Sequence, residues 1–414
     1  MNKQGSKNTD KAAASYLTYK FRAYPTTLQE YKLENWLSIL CWFYNYEINE
    51  YRRIWDEEHR TPTKFERQRN LTAFKREEPA LRLVYSGVLK AIIDKIDWAY
   101  KRFFVAIRNK EGHISPPKPK KPDQYLSLTY PQVWMTHKNY PDGYPVIKFE
   151  KLNDKFAYIH LPKLGGLKIR LHRPIDWTKA KNVTIKRHPS GRWYVYVTVE
   201  VPNNNDATIV IDTNNKQRII GIDLGLTNLI VSSDGNIVSN PRFITKLEKR
   251  IKRVQKQLSR KQRGSANYMK QRRKLARLHE RLANMRRGFL HHISHQLATN
   301  YDIIIFEDIK IRDLVSKRRR LHLSKYIYDA GWNTLINLTS YKARLHGSQV
   351  IKVNPAYTTQ TCSSCGHKVP KSLHDRIHKC PFCGATLDRD YNASINILKR
   401  GLHNIKEIQN EHTR

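Results

Sequence analysis

Residues 218–235 read RIIGIDLGLTNLIVSSDG, and their alternation frames the rest of the chain. An apolar run, Ile219 to Ile222, leads into Asp223. Gly225 follows, then a second apolar run, Leu229 to Val231, then Asp234 and Gly235. Asp-Gly between apolar runs is a strong hairpin signal, because both residues tolerate the positive φ of a primed turn. The pattern predicts strand, tight turn, strand, hairpin turn, and a third strand through Ile237 and Val238. Strand side chains alternate, so Ile220 and Ile222 share one face and Asp223 takes the other. A carboxylate ending an apolar strand beside a glycine turn suits a metal ligand: the strand fixes it, and the missing side chains leave room for a phosphate. Alone, the same Asp reads more simply as a turn cap. Two later stretches reverse that balance.

The first is IIIFEDIKI, residues 303–311, a buried strand interrupted by two acids. Ile303, Ile305 and Glu307 share one face, and Ile304, Phe306 and Asp308 the other; alternation leaves open which acid faces the chemistry. The second is LDRDYNAS, residues 387–394, followed by Ile395, Ile397 and Leu398. It predicts a short helix capped by Asp388 or Asp390, with small Ala393 and Ser394 letting it lie close against a sheet. Three carboxylates on a sheet-plus-helix frame can hold two Mg²⁺ ions about 3.5–4 Å apart, one activating water and one stabilising a leaving 3′ oxygen. Cutting a polyanion requires such offset of transition-state charge.

Between these acids lie Cys362-Ser-Ser-Cys365 and Cys380-Pro-Phe-Cys383, separated by 14 residues and each followed by glycine. Each CxxC puts two thiolates on one tight turn, and two turns complete a tetrahedral cage for one zinc ion. Four thiolates close the site, so this zinc is structural; His367, His374 and His378 are spare. An iron–sulfur centre is the lesser alternative. Cys41, the fifth cysteine, falls in a helical pattern and reads as a small core residue.

Lys and Arg total 76 against 36 acids, a formal charge of +40 over 414 residues. Such an excess predicts a polyanionic partner and salt-dependent binding. Residues 242–287 carry 18 Lys or Arg against two acids, Glu248 and Glu280. Too few acids are present for intrahelical ion pairs, so this helical region, divided at Gly264-Ser265, predicts phosphate contact. Neither a bilayer-spanning run nor a signal-peptide core is found, which favours the cytosol; the expected location is cytoplasmic, in a prokaryote and nucleoid-associated, with no membrane partner.

Upstream, residues 1–15 are polar and predict disorder. Residues 16–23 (YLTYKFRA) alternate as a strand. Helical patterns follow, one through Leu33, Trp36, Leu37, Leu40 and Phe43, the other through Leu89, Ile92, Ile93, Ile96 and Phe103. SPPKPKKPD, residues 115–123, reads as a basic linker. From residue 125 to 201 the period becomes two, predicting a small β-barrel or curled sheet whose first strand is 16–23. Its interleaved Lys186, Arg187, Arg192, Trp193, Tyr194 and Tyr196 suit nucleic-acid contact by charge and stacking, though alternate aromatics can equally pack a barrel.

GIDLG, FEDIKI, the paired CxxC knuckles and DRDYNASINIL, in this order, resemble the TnpB proteins, the OrfB products of insertion sequences. PAYTTQTCSSCG, YDAGW, and YKFRAYP followed by a helix with WFYN resemble that family too. The resemblance spans residues 16–400 and is specific in combination. It implies a transposon-encoded RNA-guided DNA endonuclease, similar to type V CRISPR effectors. The implied fold class is mixed α/β and β: an RNase H-like (RuvC) nuclease domain with an inserted zinc ribbon, plus a wedge-type β-barrel carrying a helical recognition lobe.

The implied boundaries are a disordered N-terminus (1–15), the barrel (16–23 and 116–205), the lobe (24–115), the nuclease (216–357 and 386–400), the ribbon (358–385) and a C-terminal tail (401–414). The resemblance implies Asp223, Glu307 and Asp390 as the catalytic triad and Mg²⁺ ligands, choosing Glu307 over Asp308 and Asp390 over Asp388. Cys362, Cys365, Cys380 and Cys383 hold the structural zinc. The implied partners are a guide RNA from the transposon end and target double-stranded DNA cut beside a short flanking motif, with the protein as a monomer. Ser394 stands where the family more often has Ala, a small-for-small departure. The rival readings are an RNA-guided DNA-binding repressor without cleavage and a strand-transfer transposase.

Overall fold

A ten-residue strand opens the described part of the chain, and the sheet of the N-terminal unit forms around it. β1 (Ser15–Tyr24) ends at Pro25, and Thr26 then caps α1 (Thr27–Glu58). The Thr26 hydroxyl accepts from the Gln29 amide at 3.2 Å, and the Gln29 side chain accepts from the Thr26 amide at 3.1 Å. This reciprocal cap satisfies two otherwise orphaned donors. The structure, a computed structural model, describes residues 15–110, 114–137, 140–201, 217–317, 323–372 and 374–412. The N-terminal segment expected to be disordered lies outside them except for Ser15.

The chain forms two units, residues 1–203 and 204–414. In the first, α1 is followed by α2 (Lys64–Glu77) and α3 (Ser86–Arg108), then by β2 (Ser127–Tyr130), β3 (Trp134–His137), β4 (Tyr140–Pro145), β5 (Lys148–Lys151), β6 (Phe156–Leu161), β7 (Gly165–Arg170), β8 (Ala180–Arg187) and β9 (Trp193–Val201). Seven of these strands pair antiparallel in the order β2-β8-β9-β1-β7-β6-β5, and β3 pairs with β4 separately. The first strand of the sequence is therefore central. Phe21 from β1, Leu33 and Leu40 from α1, Leu89 and Ile93 from α3, and Val195 from β9 belong to one core. The sequence pattern did not reveal α2. Only Arg67 and Leu71 of it are buried, so it carries almost no apolar stripe. A buried ion pair holds it, with the Arg67 guanidinium donating to the Glu47 carboxylate of α1.

The second unit runs β10 (Ile219–Asp223), β11 (Asn228–Ser232), β12 (Ile237–Ser239), α4 (Phe243–Ser259), α5 (Ala266–Asn300), β13 (Ile303–Glu307), α6 (Ile311–Lys317), α7 (Ser324–Ala330), α8 (Trp332–His346), β14 (Gln349–Val353), β15 (Ile377–Lys379), β16 (Thr386–Asp388) and α9 (Arg389–His412). Its main sheet has the order β12-β11-β10-β13-β14. β10, β13 and β14 are parallel, and β11 and β12 extend the sheet antiparallel.

The alternation read from the sequence appears as two cores. Ile220, Ile222, Ile304 and Phe306 pack with Leu290, Leu297, Leu335 and Ile336 of α5 and α8. Ile303 and Ile305 take the opposite face with Ile397 and Ile405 of α9. That face demands a glycine. A Cβ on Gly221 would lie 2.4 Å from the Ser394 carbonyl oxygen and 2.6 Å from the Leu398 nitrogen. The close approach expected from Ala393 and Ser394 thus has its counterpart in the strand.

α7 and α8 are separated where Gly331 adopts φ +69°. One helix expectation needs correction. The short helix after LDRD runs 24 residues, so the expected nuclease boundary at 400 falls within it and residues 401–412 are helix, not a separate tail. Its apolar face persists to Ile405, in contact with the same core as Ile303.

Candidate functional site: a carboxylate cavity and a cysteine knuckle

Parallel strands in register end at the same level. Ile222 pairs with Phe306, so the next residues, Asp223 and Glu307, emerge side by side at the carboxyl ends of β10 and β13. In open α/β sheets this edge is where ligands bind. Asp390, in the first turn of α9, lines the same cavity of about 980 Å³ as Asp223 and Glu307.

Geometry separates the acids that alternation left equivalent. Glu307 is 8% exposed on the α9 face, whereas the Asp308 side chain is 56% exposed and lies 3.7 Å from Lys352 Nζ. The Asp388 carboxylate accepts from the amides of Asp390 at 2.9 Å and Tyr391 at 3.0 Å, so it is the helix cap. That leaves the Asp390 carboxylate for the cavity, where Arg389 Nε donates to it at 3.1 Å and Arg376 Nη1 lies 3.8 Å away.

Burial, then the charges of Glu307 and Asp390, push the Asp223 carboxyl well above the usual carboxylate range, with Arg389 pulling the other way. Burial also raises Glu307, opposed by a hydrogen bond from the Thr358 hydroxyl and by the Arg400 charge. Like charges gathered out of water are costly unless a cation joins them. Three hard oxygen donors suit Mg²⁺. The carboxylate oxygens do not all converge within 4.8 Å.

The cysteines behave differently. Among the described residues, theirs are the donor atoms that all fall within 4.8 Å of one another. Cys362 Sγ lies 3.7 Å from Cys383 Sγ, and Cys365 Sγ 3.5 Å from Cys380 Sγ. A tetrahedron of sulfurs about 2.3 Å from a central zinc has edges of about 3.8 Å, so the set fits. Gly366 (φ +79°) and Gly384 (φ +72°) close the two turns, their amides donating to the Cys362 and Cys380 carbonyls. Burial opposes ionisation of Cys362, but the amides of Cys365 and Ser364 and the His378 ring outweigh it and bring the thiol down to about 5. His378 is fully buried, and His367 stacks on Phe382 with centroids 4.3 Å apart.

Sequence reasoning missed two supports of the cavity. Asp329 is buried, accepting from the Ile244 amide at 3.0 Å and from Arg286 Nη2 at 2.7 Å, which ties α7 to α4 and α5. Trp332 Nε1 donates to the Gly225 carbonyl at 3.2 Å and so holds the turn after Asp223. The Asp-Ala-Gly-Trp run was the available signal. In the other unit, Trp193 is buried with its Nε1 donating to Glu30 Oε1 at 3.1 Å, so its role is packing. Lys20 Nζ sits 4.0 Å above the Tyr194 ring.

Together these features define a two-unit mixed α/β protein with an open carboxylate cavity beside a closed sulfur site. Residues 195–318 match the model described as "Probable transposase" (OrfB_IS605), and 332–397 match "Cas12f1-like, TNB domain". Residues 16–60 match "Helix-turn-helix domain" (HTH_OrfB_IS605), although here they form one strand and a single long helix. "Putative RNA-guided DNA endonuclease InsQ" of Escherichia coli (strain K12) is 31% identical over 329 residues, covering 76% of this chain and 74% of that protein. "Putative RNA-guided DNA endonuclease" of Streptomyces pristinaespiralis is 29% identical over 392 residues, covering 93% and 89%. A solved Cas12f1 in complex with sgRNA and target DNA superposes with a TM-score of 0.57 at 14% identity, covering 93% of this chain and 98% of that one. The chain belongs to the TnpB (insertion-sequence OrfB) family. Among the described residues no helix is long and apolar enough to cross a membrane.

Proposed function

We propose that this chain is a transposon-encoded RNA-guided DNA endonuclease that hydrolyses target DNA at the Asp223–Glu307–Asp390 cavity. The observation that carries the reading is the convergence of these three acids, from two parallel strand ends and one helix start, on a single cavity. The names of relatives aligned over most of their length support the substrate class. The strand order, with the first strand central and the second and third antiparallel at one side, supports an RNase H-like (RuvC) nuclease domain. The sheet of the first unit then corresponds to the wedge, and α1–α3 to the recognition lobe.

In this reading, guide pairing supplies sequence choice while the protein reads backbone shape and a short flanking motif. The α4–α5 hairpin buries Leu247, Ile251 and Val254 against Leu278 and Leu282 and leaves Lys249, Arg250, Arg253 and Lys256 exposed for phosphates. Glu248, one of two acids there, already pairs with Lys252 at 3.1 Å and Lys325 at 2.9 Å. Asp223, Glu307 and Asp390 would hold two Mg²⁺ ions, which supply an activated water and charge neutralisation at the leaving oxygen. Arg389 and Arg376 flank Asp390 and limit its repulsion of the other acids. The four cysteines would hold one zinc that folds their loop.

The test is to express the chain with its native flanking DNA, sequence the co-purified RNA, and assay DNA carrying the matching target. One RNA with a constant scaffold and a short variable end, and Mg²⁺-dependent cutting of the match, are expected. A smear of host nucleic acid, or no cutting of matched DNA, overturns the reading. Because one matching model is described as a transposase, the assay also includes an acceptor duplex. Joined products in place of free ends would make it a strand-transfer enzyme.

A further inference from the structure

Four polar side chains of α9, Asn392, Asn396, Lys399 and Arg400, fall at i, i+4, i+7 and i+8, on one face of the helix. All four reach the backbone of residues 354–363. Asn392 accepts from the Ser363 amide at 2.8 Å and donates to the Thr361 carbonyl at 2.8 Å. Asn396 donates to the carbonyls of Thr358 at 2.9 Å and Thr361 at 2.7 Å. Lys399 donates to the Ser363 carbonyl, and Arg400 to that of Asn354 at 2.7 Å. Both asparagines are buried, as is Thr358. A hydroxyl has one proton. That of Thr358 goes to Glu307 Oε1, the Pro355 carbonyl lying further off at 3.3 Å. The helix that carries Asp390 directly therefore also holds the loop that grips Glu307.

We propose that Asn392 and Asn396 are positioning residues for the two acids: by clamping residues 358–363 to α9, they deliver the Thr358 hydroxyl to Glu307 and set its spacing from Asp390. The cysteine loop departs from the same clamp at Cys362, so its fold and the cavity share one anchor. The proposal rests on the reading of the cavity as a divalent-cation site. A purely structural role for the asparagines predicts lost stability and no change in cation affinity.

The experiment uses the purified complex with its co-purified RNA and compares Thr358→Val, Thr358→Ser and Asn396→Ala. Three quantities are read: zinc content, Mg²⁺ dependence of cutting, and Mn²⁺ affinity followed by electron paramagnetic resonance, with Asp223→Ala as the control that loses Mn²⁺. Thr358→Val replaces the hydroxyl with a methyl of similar size and removes the hydrogen bond to Glu307. It is expected to raise the Mn²⁺ and Mg²⁺ concentrations for half-saturation by about ten- to a hundredfold, as loss of a ligand's own hydrogen-bond partner does elsewhere. Zinc content and DNA binding should stay unchanged, and Thr358→Ser should restore cation affinity. Asn396→Ala should match Thr358→Val in cation affinity; lost stability or zinc with unaltered cation affinity would make the asparagine purely structural and overturn its positioning role. Unaltered cation affinity in Thr358→Val overturns the proposal. If the unsubstituted complex cuts no matched DNA, the nuclease reading falls, while the Mn²⁺ titration still decides whether Thr358 sets Glu307.

Discussion

The cysteine knuckle and the carboxylate cavity belong to one unit, yet they solve opposite problems. The knuckle brings four sulfurs within 4.8 Å of one another using two short turns and two glycines. Nearly everything it needs is local, and it leaves no ligand position open. The cavity gathers acids from β10, β13 and α9, keeps them apart, and buries two of them at an electrostatic cost. A local site can be closed by its own turns. The cavity, proposed to admit a phosphodiester, is instead held by groups from several elements, Thr358, Trp332 and Arg389.

The largest expected effect separates the two sites outright. Zinc binding in small fingers is worth on the order of 10–16 kcal/mol, so Cys362→Ser should lose the metal and unfold the ribbon. Zinc content with full activity, both unchanged, would contradict this. Next, Asp223→Ala or Asp390→Ala should lower cutting by about a thousandfold or more, removing several kcal/mol of transition-state stabilisation while guide RNA stays bound. Retained Mg²⁺-dependent cutting by either variant would show that the cavity is not the site.

Gly221→Ala tests the frame behind the cavity. The new methyl meets backbone of α9, which cannot yield, so about 1–3 kcal/mol of stability should be lost, read as a lower urea midpoint. At Gly401 the new methyl would meet Cδ1 of buried Ile305 at 2.2 Å and its Cγ1 and Cγ2 at 2.8 Å, so Gly401→Ala should destabilise the same seam. An unaffected Gly221→Ala would mean that the helix does not seat as described.

The smallest effect is on pH. Asp223 and Glu307 have folded-state pKa values above their ordinary ones. Such groups keep protons in the folded chain that the unfolded chain has released. Their contribution to stability therefore falls as pH rises from about 4 and levels off above the folded pKa. Without divalent cations, Asp223→Asn should flatten that decline in thermal unfolding, and Mg²⁺ should offset it at neutral pH. Equal slopes for both proteins would contradict the burial argument.

Much of this was legible in the sequence because it depends on local period. The strands at 219–223 and 303–307, the Asp-Gly turn and the CxxC pairs are set by residues adjacent in the chain. Glu307 and Asp308 are equivalent by alternation until α9 is known to cover one face. Asn392, Asn396 and Thr358 were not readable as a clamp, since their partners are backbone groups of a distant loop and leave no pattern. The α2 helix was missed because a buried Arg–Glu pair, not an apolar stripe, docks it.

The covering of β10 and β13 by α9 also has a consequence in time. A ribosome adding about 5–20 residues each second needs on the order of ten to thirty seconds to travel from Asp223 to Asp390. From the synthesis of Ile305 until that of α9, the Ile303–Ile305 face is bare, and Glu307 lacks the loop that α9 holds. If the basic helices bind nucleic acid and the cavity hydrolyses it, as proposed, the order of synthesis places the capacity to bind before the capacity to cut.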